Sequence, residues 1–77
     1  MKRSELEQHI GKRVQIKLFD DEVIEGVLFK TGTEIFKDNP NLYIPQNYYV
    51  LAEKIYGEMK SVSCIFRCSH VRKLKEV

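Results

Sequence analysis

The sequence predicts a mainly β single domain over residues 1–77: a short N-terminal helix followed by five strands, strongly bent into a small barrel. Three observations predict it. One apolar run alternates with polar residues at the period of a strand, and a second apolar run follows it across an acidic turn. A glycine interrupts the second of these runs, and two more strand-like runs end the chain with almost no turn between them.

The helix is expected over 4–10, in "SELEQHIG". Ser4 and Glu7 have the spacing of a capping box, Leu6 and Ile10 fall on one face, and Gly11 ends the element. In "RVQIKLF", Val14, Ile16 and Leu18 alternate with Gln15 and Lys17, so the strand Val14 to Phe19 buries one face. "DDE" makes a solvated turn, and "VIEGVLFK" returns as the second strand of a hairpin, Val23 to Phe29. Gly26 lies in its middle, where a glycine weakens a strand unless it is needed for a sharp bend. From Thr31 to Gln46, Gly32, Pro40 and Pro45 break helix and strand patterns alike and predict a long loop or lid within a 31–60 insertion that also holds the third strand. "NYYVLAE" is that third strand, "KIYGEMKS" a turn through Gly57, "SVSCIFRC" the fourth strand, and "VRKLKEV" a fifth, reached by a tight turn at Ser69-His70.

At 77 residues the core is small, and domains of this size bury only about 60% of the surface exposed by the unfolded chain. A core this thin is usually supplemented by a partner subunit, a metal or a disulfide. No apolar run reaches the roughly 20 residues of a membrane span, and the charged start lacks a signal-type apolar stretch; a cytoplasmic chain with no membrane association is expected. The two cysteines are then reduced thiols. The net charge of +2 divides unevenly: residues 1–18 and 67–77 each carry +3, and the middle carries −4. If the fold joins the termini, they form a positive face suited to a phosphate-bearing partner; otherwise the charges are a solvated surface.

The segment "CIFRCSHVRKL" places Cys64, Cys68 and His70 close together, as zinc ligands often are. On an unbroken strand, however, the two sulfurs lie about 13 Å apart, whereas ligand sulfurs on one zinc sit within about 4 Å. Cys64 is therefore expected in the core and Cys68 in a corner, with no metal bound. His9 reads as exposed or capping, and Asp20, Asp21, Glu22 and Glu25 read as a solvated turn, so no catalytic residue and no cofactor are expected. The aromatics Phe36, Tyr43, Tyr48, Tyr49 and Tyr56 concentrate in the central segment. On a strand Tyr48 and Tyr49 point to opposite faces, which leaves one of them able to stack a base or to meet another subunit.

The order of elements resembles the Sm-like family of small β-barrels. The resemblance rests on the hairpin Val14 to Phe29 around Gly26 and on "IFRCSHVRKL", with Arg67 at that family's basic position; together these span roughly half of the chain. The chain is also similar to small proteins encoded in phages and prophages of Gram-positive bacteria. Two features depart from the Sm-like pattern. Cys68 stands where the family has glycine, and "KTGTEIFKDNPNLYIPQN" replaces a loop that carries an acidic residue, an aromatic and an asparagine that hold a base. The resemblance implies an SH3-like barrel whose subunits pair their edge strands into a ring.

Three functions follow as expectations. The first is an oligomeric, non-enzymatic module that binds RNA, DNA or a nucleotide through Lys12, Arg13, Tyr43, Tyr49, Arg67 and Arg72. The second is a scaffold, such as a phage accessory protein that engages a host protein through the 31–60 segment. The third, an enzyme or metalloprotein, ranks last.

Overall fold

A computed structural model describes residues 2–77, which form helix α1 (Arg3–Glu7), strands β1 (Arg13–Leu18) and β2 (Val23–Lys30), a 3-10 turn (Glu34–Phe36), helix α2 (Pro40–Tyr43), strands β3 (Tyr49–Ile55) and β4 (Glu58–Ser61), a second 3-10 turn (Cys68–His70) and strand β5 (Val71–Glu76). All five strands join one antiparallel sheet in the order β4-β3-β2-β1-β5. The pairing does not close on itself, so β4 and β5 are its two edges. No helix among the described residues is long and apolar enough to cross a membrane.

Alternation along the strands builds the core. Val14 and Ile16 of β1, Leu28 of β2 and Tyr49 and Leu51 of β3 point to one face, where Leu6, Phe66 and Val71 cover them. The opposite face carries a second cluster, in which Val50 and Ala52 of β3 pack against Phe36 and Leu42 with Phe29 and Met59 at the margin. The long loop expected over 31–46 is thus a folded cover that contributes its own apolar side chains. Its short helix α2 begins at Pro40, and the Asn39 side chain caps it by accepting from the Asn41 amide at 3.2 Å. Between the two clusters, β3 is buried on both faces, and this explains its unbroken apolar run from Tyr49 to Ala52.

Several boundaries differ from the sequence expectations. The helix ends at Glu7, and Lys2 precedes it as an N-cap without a side-chain bond. No capping box forms, because the Glu7 carboxylate turns to Tyr49 and Lys30 instead of back to Ser4. Ile10 lies beyond the helix and is partly exposed. The third strand runs on to Ile55 and turns at Tyr56-Gly57, whose φ values of 52° and 81° suit a two-residue hairpin with left-handed residues at both positions. An aromatic residue is unfavourable there, and the Tyr56 side chain is fully exposed.

The fourth strand departs most. It occupies Glu58–Ser61, and residues 62–65 bulge away before Phe66 bridges back to Tyr49. Ala52 faces Ser61 and Tyr49 faces Phe66, so three steps on β3 are matched by five on the partner, which is two residues too many for a regular ladder. Within the bulge the Ser63 hydroxyl takes the Leu51 amide in place of a backbone carbonyl. That slip turns Cys64 out to solvent, contrary to its expected core position, while Phe66 stays buried.

At Gly26, β2 is approached closely by Val62 of this bulge and by Leu51 of the neighbouring strand β3. A Cβ built on Gly26 would meet Val62 Cγ2 at 2.9 Å and Leu51 Cβ at 3.1 Å, both from segments folded across the strand. In an ordinary strand interior, alanine would be better than glycine by about 0.5–1 kcal/mol. Here the sign reverses. Gly26→Ala is expected to destabilise the fold by about 1–3 kcal/mol through overpacking, lowering the melting temperature by about 4–8 °C per kcal/mol. An unchanged or raised melting temperature in calorimetry would show that the close approach is not a constraint.

Candidate functional site

Two hydrogen bonds between Tyr49 and Phe66, amide to carbonyl in each direction at 2.8 Å, set the geometry of the site. In an antiparallel pair the residue before one partner faces the residue after the other, which brings Tyr48 across from Arg67. The Arg67 guanidinium lies over the Tyr48 ring, 5.3 Å from its centroid, and Nη2 donates to the Tyr48 hydroxyl at 3.1 Å. A cation in that position is attracted by the ring's negative face. From behind, the Tyr48 carbonyl accepts from the amide and hydroxyl of buried Thr31, at 3.0 and 3.2 Å. Asn47 comes next in left-handed backbone at φ 66°, a conformation that asparagine tolerates, and its Oδ1 accepts from Arg3 at 3.5 Å. The N-terminal helix thereby adds a second guanidinium.

Arg3, Asn47, Tyr48 and Arg67 line an open cleft of about 550 Å³, completed by Gln46, Cys68 and Ser69. None of these residues is acidic. Glu7, one helical turn from Arg3 and within its electrostatic reach, is outside that lining: the Tyr49 hydroxyl donates to its Oε2 at 2.7 Å, and Lys30 Nζ sits at 3.1 Å. The Tyr49 hydrogen bond first, and Lys30 second, hold Glu7 below the usual carboxylate range, while burial and the same bond push the Tyr49 phenol above its own. With two guanidiniums, one aromatic ring, two amides and a hydroxyl, the cleft has the groups that bind a planar base and its phosphate.

Of the residues expected to bind, Arg67 alone lines this cleft. Tyr49 is fully buried beneath α1 with its hydroxyl on Glu7, so its ring stacks nothing from outside; Tyr48 is the accessible neighbour. Tyr43 is exposed on α2, away from the cleft lining. The remaining cations have carboxylate partners: Lys12 pairs with Glu76 at 3.3 Å, Arg72 with Asp21 at 3.1 Å, and Arg13 with Glu25 at 2.9 Å as well as with Glu53. Glu53 and then Glu25 keep the Arg13 guanidinium still more firmly protonated. The chain ends do meet, since His9 Nδ1 lies 2.9 Å from Glu76 on β5, but Glu76 partly neutralises the expected positive face.

Cys68 opens the second 3-10 turn in ordinary backbone, so the position does not need the conformational range of glycine. His70 packs on the Phe19 ring at 4.8 Å. Among the described residues, no group of three His, Cys, Asp or Glu side chains is placed to hold a metal ion. Arg3, Asn47 and Tyr48 were not singled out as site residues from the sequence. Their signal is weak: an asparagine and a tyrosine directly ahead of a buried strand.

No family model matches this chain, and no curated protein or solved structure gives a significant match.

Glu7 and Glu76 are both held low, Glu76 by its hydrogen bonds to His9 and then Lys12. A carboxylate lowered on folding contributes stability that is fully present above its unfolded value, roughly pH 4.3, and lost as pH falls through the lower folded value. The melting temperature is therefore expected to drop as the solution is acidified below roughly pH 4.3, and Glu7→Gln to make that drop shallower. Identical acid profiles for the two proteins would sever the link between Glu7 and stability.

Proposed function

We propose that this protein is a non-enzymatic binding module for nucleic acid or a nucleotide, with a base stacked at the Arg67–Tyr48 pair and phosphate held by Arg3 and Arg67. One observation carries this reading: a guanidinium lies over an aromatic ring on the wall of a cleft that holds a second guanidinium and no carboxylate. Relation to the Sm-like barrels belongs to the same reading. It is supported by the β1–β2 hairpin with the tightly packed Gly26 in its second strand, by the 3-10 turn directly ahead of β5, and by Asn47 and Tyr48, which present an asparagine and an aromatic ahead of β3 beside Arg67.

Binding is tested by fluorescence anisotropy with labelled oligonucleotides and with nucleotides as competitors. Arg67→Ala is expected to weaken binding about tenfold or more, since each stacked base contributes about 1–3 kcal/mol. The two phosphate contacts in the cleft contribute about −1.4 to the slope of log affinity against log salt for a single strand. No binding at about 50 mM salt, where this attraction is strong, would end the proposal.

Self-assembly is part of the reading as well. The edges β4 and β5 leave backbone groups without ladder partners on one side, and such edges pair unless they are blocked. Light scattering is expected to give a multiple of the 9.1 kDa chain mass, and a single-chain mass at micromolar concentration would refute assembly. Docking of a protein partner, such as a host factor, on the 31–60 segment is the second reading, favoured by the exposure of Ile44 and Tyr56 there. Capture of a partner that survives Arg67→Ala but is lost with Tyr56→Asn would select it.

A further inference from the structure

We infer that the solvent face of β1 and β5 is a second contact for the same ligand, gripping the phosphate backbone of a single strand that leaves the cleft; the ligand is then a polynucleotide and not a free nucleotide. This rests on the reading of the cleft given above. The strand ladder sets Lys17 directly opposite Lys73, and Gln15 opposite Lys75. Arg72 falls where the register between β1 and β5 shifts, between Lys73 and Val71. These side chains line a groove of about 510 Å³ together with Val23 and Leu74, and no carboxylate is among its lining residues.

Charge accounting shows why the face needs a partner. Four cations, Lys17, Arg72, Lys73 and Lys75, are served by the one carboxylate of Asp21, which lies 3.1 Å from Arg72 and 3.7 Å from Lys17. Glu25, opposite Gln15 on β2, is already bonded to Arg13. Like charges set directly across a strand pair disfavour it, so the opposition of Lys17 and Lys73 does nothing for folding. A row of phosphates supplies the missing negative charge, and counterion release adds to the attraction.

Continuity selects a nucleic acid as the source of those phosphates. Arg67, Cys68 and Ser69 form one wall of the cleft, and the 3-10 turn Cys68–His70 runs straight into β5, whose Arg72 opens the groove. In this reading, a strand whose base sits at Tyr48 follows the Cys68–His70 turn to the β5 cations. Only unpaired bases can stack on a side chain in this way, which favours a single strand over a duplex.

The test uses a labelled oligouridylate of about twelve nucleotides, within the site sizes of single-strand binders, and uridine monophosphate as competitor. Lys73→Gln/Lys75→Gln is expected to weaken oligonucleotide binding about tenfold and to reduce the salt slope by about 1.4, with monophosphate competition unchanged. Its melting temperature should match or exceed that of the native chain, because like charges are removed. Arg67→Ala should weaken both ligands. If Arg67→Ala changes neither ligand while the double variant weakens the oligonucleotide, the cleft reading falls and the β1–β5 contact stands. An unchanged oligonucleotide affinity and salt slope in the double variant overturns the inference. So does a native chain that binds phosphatidylserine vesicles through these lysines but binds no oligonucleotide.

Discussion

A side chain at position 26 has no room, and much of the architecture follows from that. With a hydrogen in place of Cβ, β2 allows Leu51 and Val62 to close over it at about van der Waals contact. The chain after β4 can then leave the ladder, bulge over 62–65 and rejoin β3 at Phe66. The rejoining bonds decide that Arg67 faces Tyr48. A cleft whose lining includes the Arg67–Tyr48 pair thus depends on the Tyr49–Phe66 bonds, and it is built from a stretch that is mostly irregular.

Charge is distributed by the same folding. Some of the cations in the N-terminal part of the chain pair with carboxylates, Lys12 with Glu76 and Arg13 with Glu25 and Glu53. These exposed pairs add little stability individually, since surface ion pairs contribute about 0–1 kcal/mol. Their effect is to sort the surface. Regions where carboxylates are engaged elsewhere are left with a positive excess, and these are the Arg3–Arg67 cleft and the β1–β5 face. Formal net charge, at +2, gives no hint of this separation.

Legibility varied with the kind of signal. The β1–β2 hairpin was readable almost to the residue, because Val14, Ile16 and Leu18 alternate strictly and Asp20-Asp21 punctuate them. Gly57 marked its turn, and Gly26 marked a place where neighbouring side chains approach the backbone closely. The segment "SVSCIF" misled, because its alternation of Val62, Cys64 and Phe66 looks like a strand while a hydroxyl, Ser63, competes for the Leu51 amide and breaks the ladder. The insertion misled for another reason: Gly32, Pro40 and Pro45 do break regular structure, but Phe36 and Leu42 still find an apolar face to cover. Of the site, only Arg67 was legible. As adjacent strand residues Tyr48 and Tyr49 take opposite faces, and which of the two is buried depends on the position of α1, where Leu6 and Glu7 cover Tyr49.

The sequence by itself determined what is local: the hairpin, the strand content, the glycine turn at Gly57 and the lack of a regular element through much of 31–48. These follow from side-chain period and from backbone restrictions that act over a few residues. Tertiary structure alone decided which cations keep a carboxylate, which tyrosine reaches solvent and where Arg3, Asn47 and Arg67 meet. Those outcomes depend on contacts between residues up to 64 positions apart in the chain, such as Lys12 and Glu76, whose register is set by bulges and packing rather than by any neighbouring residue.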